Sequence, residues 1–288
     1  MTDSVSNPAN LIPAIDVHAH FGTCIREDAS RLACEFMTAD GPEVVRRSQG
    51  CRITTTIASP LDGLLPRGAA DAVAANTKAH QICEQTAGLK QWCILHPHQV
   101  QTFTQVDHQL GTAHCLGIKI HPEEHRYPIR DEGAHLFACA ARHDAVVLVH
   151  SGDEYSRPLD FIRWADEYPN VTLILAHLGN GGAAAGDPRL QVEAIQAARH
   201  DNVFVDTSSA RSLLPGLLEW AVSEVGAERI LFGTDTPLYF SGMQRARVDY
   251  AELSLEDKAR ILNGNARRIW TDAQLEWNPV SEPNLNSP

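Results

Sequence analysis

Five apolar, β-rich runs in this 288-residue chain carry at or near their ends a side chain that could bind a metal, His121 in GIKIHP among them. His18 and His20 are one residue apart in IPAIDVHAH (12–20), and the period-2 alternation of a strand projects both imidazoles from the same face. His150 ends AVVLV, His177 ends VTLILA, and Asp235 follows ILF in GTDTP. A His-x-His pair alone is a short pattern and fits two unrelated buried histidines equally well. Three further polar groups at the ends of buried runs alter that balance, because such groups are costly unless paired or coordinated. Imidazoles plus one carboxylate suit zinc, with manganese, iron or cobalt as alternatives where the chemistry needs a Lewis acid and no redox change.

Positioning these groups requires a regular scaffold. Strand-like runs at 12–20, 51–60, 91–98, 116–122, 145–152, 171–179, 202–209 and 229–237 alternate with helix-like segments such as AADAVAANTKAHQICEQTAG and PLDFIRWADEYP. Several runs are almost wholly apolar, as parallel strands covered on both faces should be. Eight strand-helix units over about 250 residues predict an α/β protein, a single-domain (β/α)8 TIM barrel, whose active sites form at the C-terminal ends of the strands. The barrel is expected over 12–271, with polar tails at 1–11 and 272–288. No GxGxxG follows an early strand, which argues against a dinucleotide-binding sheet.

A net charge of -12 disfavours nucleic acid and anionic lipid as partners. No apolar run reaches the ~20 residues of a membrane span, and MTDSVSNPAN lacks a signal-peptide pattern, so a cytoplasmic protein is expected. The seven cysteines are scattered without a CxxC pair and are expected as free, buried thiols. The expected partners are a small-molecule substrate and, in a homo-oligomer, further copies of the chain.

The segments IDVHAH, GIKIHP, VLVHSG, LILAHLG, NVFVDTSS, ILFGTDTP and LNGNARRIW, in this order, resemble the amidohydrolase superfamily, and within it the amidohydrolase-related (amidohydrolase 2) group, over about nine-tenths of the chain. The resemblance implies His18, His20, His150 and Asp235 as metal ligands and His177 as a catalytic histidine. It further implies a metal-activated water, with Asp235 taking its proton and His177 orienting it or protonating the leaving group. Lys119 and His121 share a face of the fourth strand. In two-metal members a carbamylated lysine from this strand bridges the ions, so Lys119 and His121 mark a second-metal or substrate position. One ion is the favoured expectation, and an internal salt bridge from Lys119 to Asp235 or Asp206 is the competing one.

Arg126, Arg157 and Arg211 follow strand ends and could hold a substrate carboxylate, although a solvated surface arginine is the ordinary alternative. His96 and His98 could line the mouth after the third strand, and Tyr239 and Phe240 could form an apolar wall. The leading expectation is hydrolysis of an amide, cyclic amide or lactone of a small molecule, which could itself bear a carboxylate. The alternative is metal-dependent nonoxidative decarboxylation of a small aromatic or unsaturated acid, which relatives in the resembled group carry out. A non-catalytic binding barrel is the third.

Overall fold

The computed structural model describes residues 8–276. Its eight strands are β1 (Ala14–Phe21), β2 (Ile53–Pro60), β3 (Leu89–Ile94), β4 (Cys115–Ile120), β5 (Val146–Val149), β6 (Thr172–Leu175), β7 (Val203–Asp206) and β8 (Ile230–Leu231). They form one parallel sheet in sequence order. The sheet closes on itself because β1 also bonds to the chain beyond β8: Val17 N donates to Phe232 O (2.9 Å), and His20 N donates to Thr236 O (2.6 Å). Helices follow the strands on the outside, from Gly41–Gly50 after β1 to Ser241–Asp249 after β8. The expected (β/α)8 barrel is therefore the fold.

The barrel interior is filled, as it must be when eight strands leave room only for side chains. Ile15, Val17, Ile57, Trp92, Leu148, Ile174 and Leu231 belong to one buried cluster that reaches Trp270 and Leu275. Trp92 donates its indole N–H to Val17 O and Trp270 donates to Leu116 O, each at 2.9 Å, so neither ring carries an unpaired donor into the core. A Cβ on Gly117 would lie 2.3 Å from Trp92 Cζ3 and 2.4 Å from Val146 O, so the indole fills the space a larger residue would need.

Both expected margins shift. The 3-10 turn Pro8–Leu11 places Ala9 in the core, and Arg245 donates to its carbonyl at 2.9 Å. After Trp270, Thr271 forms a capping box with Gln274 and starts the helical turn Asp272–Leu275. Leu275 is buried, and Thr55 Oγ1 and Lys90 Nζ donate to the carbonyls of Leu275 (3.0 Å) and Glu276 (3.3 Å). One helical turn is too short to show periodicity, so a polar composition hid a plug. The rest of the two expected tails, residues 1–7 and 277–288, lies outside the described residues. No helix among the described residues is long and apolar enough to cross a membrane. All seven cysteines are free.

Candidate metal centre

Asp16, His18 and His20 alternate along β1 and are all buried. Asp16 Oδ1 accepts from the backbone N–H groups of His18 and Thr234, both at 3.0 Å, and its Oδ2 accepts from Thr234 Oγ1 at 2.5 Å. Burial pushes this acid up to about 8 against the pull of those bonds. Asp235 N donates to His18 O at 2.7 Å, completing a tie between β1 and the turn after β8. Asp235 itself sits at φ 59°, a left-handed backbone that costs a non-glycine residue about 1–3 kcal/mol and is kept where the surroundings enforce it. His177, at φ 69°, is a second such residue.

The result is a convergence of three donor atoms. His20 Nε2 lies 3.0 Å and His18 Nε2 3.7 Å from Asp235 Oδ1. That oxygen is buried and accepts no hydrogen bond of good geometry, an expensive state for a carboxylate unless a cation faces it. Burial raises the Asp235 acid, but His20 and the fields of His18 and His177 outweigh it and hold the group well below the usual carboxylate range. The opposite ring nitrogens are occupied: His20 Nδ1 meets Ser59 Oγ at 2.9 Å and His18 Nδ1 meets Asp206 Oδ2 at 2.8 Å. Such partners orient a ligating imidazole. His18, His20 and Asp235 thus fit a divalent ion and could hold one.

A second cluster, His18, His177 and Asp206, also brings ligand-type atoms together. Its space is taken by the Ser208 hydroxyl, which lies 2.7 Å from His177 Nδ1 and 3.0 Å from His18 Nδ1 and bonds to Asp206 Oδ1. This cluster is a hydrogen-bonded support, and the first is the one with an unsatisfied oxygen.

His150, expected as a ligand, joins neither cluster. Its Nδ1 faces His177 Nε2 at 3.0 Å and its Nε2 faces Asp153 Oδ2 at 2.7 Å. Burial and the neighbouring imidazoles hold His177 well below the usual histidine range. Lys119 is fully buried with Nζ 3.1 Å from His18 Nε2, and desolvation brings it down to about 8, opposed by Asp235 and Asp206. The competing internal salt bridge is not formed among the described residues, since Lys119 pairs with neither Asp235 nor Asp206 and its amine faces His18 instead. His121 stacks on His150 with centroids 4.3 Å apart and caps the turn Pro122–His125 by accepting from Glu124 N at 3.3 Å.

These groups open into a cavity of about 720 Å³. Arg211 lines it and has no ion-pair partner among the described residues, as expected of a substrate-binding candidate. The other two arginines are displaced. Arg157 is turned outward onto Glu154 (2.7 Å), and exposed Arg126 lines a smaller neighbouring cavity. His98 pairs with Glu132 and His96 packs on His125, so neither lines the mouth. Tyr239 lines the cavity, whereas Phe240 is 74% exposed. Asp16, Ser59, Ser208 and Asp153 are functional neighbours that the spacing of the sequence does not mark, and Asp206 enters it only as a lysine partner. Asp206 carries the signal that singled out His150, a polar group ending an apolar run. Arg26 and Arg67 also line the cavity, bonded to Asp28 and Glu124, but their positions in irregular loops give no periodic signal.

Among curated proteins, none matches this chain in sequence. Several solved structures share its fold. The 5-carboxyvanillate decarboxylase of Sphingomonas paucimobilis aligns with a TM-score of 0.69 at 15% identity, covering 90% of this chain and 98% of its own. A dihydroxybenzoic acid decarboxylase of Polaromonas, solved with manganese and 2-nitroresorcinol, aligns with 0.68 at 16%, covering 90% and 97%. A protein described as amidohydrolase II aligns with 0.61 at 18%, covering 89% and 99%. The family model for amidohydrolases of the amidohydrolase 2 group matches residues 15–271, nearly the whole barrel. The chain belongs to the amidohydrolase family.

Proposed function

We propose that this protein is a metal-dependent enzyme that removes CO2 from a small aromatic or unsaturated carboxylic acid. The observation that carries this reading is the make-up of the cavity: Leu61, Leu64, Leu65 and Leu238 line the same space as the His-Asp cluster and the guanidinium of Arg211, which has no ion-pair partner among the described residues. Apolar side chains suit a flat hydrocarbon body, and an arginine fork suits a carboxylate. The decarboxylases among the solved structures add support, since they build a site for small aromatic acids on the same barrel.

His18, His20 and Asp235 would hold the ion, with manganese fitting this donor set as well as zinc. When bound, the ion supplies a positive charge against which a substrate oxygen is held and electron density is drawn. Arg211 orients the acid. The bond between the carboxyl carbon and its neighbour breaks, CO2 leaves, and the electron pair on the remaining carbon takes a proton relayed through His177 Nε2, whose lone pair receives it from His150. A desolvated imidazole holds such a proton weakly, which favours its release. His150, 3.0 Å away and partly open to solvent, returns a proton to it.

Hydrolysis, the leading expectation from sequence, asks Asp235 to take a proton from water. A carboxylate held so far below its ordinary range is a weak base and a good anionic ligand. The two readings separate in oxygen-18 water, with hydroxybenzoates and related unsaturated acids, amides and lactones supplied to the metal-loaded enzyme. The proposal expects CO2 release without label in the organic product, and His177→Asn slowing turnover by about a hundredfold with metal retained. Incorporation of solvent oxygen without CO2 would overturn it in favour of hydrolysis.

A further inference from the structure

We infer that Ser208 is a positioning residue that sets the tautomers of His18 and His177 together, so that one hydroxyl serves both the metal ligand and the proton carrier. The inference rests on the roles proposed for those two histidines. Ser208 Oγ is buried and has three neighbours in reach: Asp206 Oδ1, His177 Nδ1 at 2.7 Å and His18 Nδ1 at 3.0 Å. A serine hydroxyl has one hydrogen to give and lone pairs to accept with, whereas a carboxylate can only accept. The hydrogen therefore goes to Asp206 Oδ1, and the oxygen's lone pairs are left for the two imidazoles.

Both Nδ1 atoms must then carry hydrogen. His18 Nδ1–H is shared between Asp206 Oδ2 at 2.8 Å and Ser208 Oγ. His177 Nδ1–H has Ser208 Oγ as its acceptor. In each ring Nε2 is left with its lone pair: in His18 it faces Asp235 and Lys119, and in His177 it faces His150. Asp206 Oδ1 further accepts from the backbone N–H groups of His177 (3.1 Å) and Ser208 (2.9 Å), which holds this support against the left-handed backbone of His177. Were either ring to flip its tautomer, two lone pairs would meet across a buried contact, a loss of about 1–3 kcal/mol.

The two histidines depend on Ser208 unequally. His18 keeps Asp206 Oδ2 as a second acceptor, and His177 has none other at Nδ1 among the described residues. Removing the hydroxyl should therefore free the tautomer of His177 and leave that of His18 in place.

The test is long-range 15N–1H correlation on histidine-labelled, zinc-loaded protein, a diamagnetic form whose spectrum assigns the protonated nitrogen of each ring. The wild-type spectrum is expected to show hydrogen on Nδ1 of both His18 and His177. Ser208→Ala is expected to move His177 toward the Nε2–H form, leave His18 unchanged, and weaken zinc binding by no more than about tenfold, the low end for loss of an outer partner. Ser208→Cys, which keeps a small hydrogen-bonding side chain, is expected to restore much of the Nδ1–H population. An Nε2–H tautomer at either ring in the wild type, or a His177 tautomer that Ser208→Ala leaves untouched, would overturn the inference. Because these signals do not require turnover, they are read independently of whether the reaction is decarboxylation.

Discussion

The two ends of the barrel are built on opposite principles. At the N-terminal end Trp92, Trp270 and Leu275 pack into one apolar cluster, and both indole N–H groups are satisfied by strand carbonyls. At the C-terminal end His18, Lys119 and Asp206 are as deeply buried as any core residue and Asp235 is nearly so, two of the strand-end residues have left-handed backbones, and one carboxylate oxygen lacks a hydrogen bond. Burial is thus common to both ends, and an unmet carboxylate charge is what sets the upper end apart. The lower end holds the fold together, while the upper end retains strain and an unmet charge that a ligand can relieve.

The largest expected effect that would break this comparison lies at the lower end. Trp92→Ala should cost about 3–5 kcal/mol in urea unfolding, since it removes a fully buried indole and leaves a cavity. The folded variant should still bind metal with wild-type affinity. Loss of metal affinity in parallel with stability would show that the two ends are coupled.

A smaller effect sharpens the contrast through pH. His125, in the turn after β4, is buried, donates Nε2–H to Gly63 O at 3.0 Å, and is brought down to about 3 chiefly by desolvation. Its folded-state pKa is therefore below the unfolded value of about 6.5. Between these values the unfolded chain binds the extra proton, so the contribution of neutral His125 is complete above about pH 6.5 and is lost as pH falls toward 3. From pH 7 to pH 5 that loss should be roughly 2 kcal/mol. His125→Gln should flatten the stability profile over this window by that amount. An unchanged slope would show that the ring is not held neutral by its burial.

Much of this architecture was legible in the sequence, for identifiable reasons. Parallel strands covered on both faces must be apolar, so a polar residue ending such a run stands out, and His18, His20, His177 and Asp235 were visible on that ground. The period-2 rule placed the two histidines of β1 on one face correctly. Side-chain direction beyond a strand end follows no period, which is why Arg126 and Arg157 were expected in the cavity although, of the three candidate arginines, Arg211 alone lines it. His150 was expected as a ligand because a strand end says where an imidazole begins and not which neighbour its nitrogens will choose. Asp153, three residues on, takes one of them. Ser208 and Ser59 gave little signal, since a serine near a strand end is ordinary.

The account depends above all on a metal held by His18, His20 and Asp235, and metal content is its most direct test. Protein purified without chelator should contain close to one divalent ion per chain. His20→Ala should lose that ion while the unfolding free energy of the metal-free protein stays within about 1 kcal/mol of wild type, because the ligand end is separable from the packed end. Full retention of the ion in His20→Ala would contradict the assignment. Two ions per chain, with a carboxyl group carried on Lys119, would contradict the single-ion site.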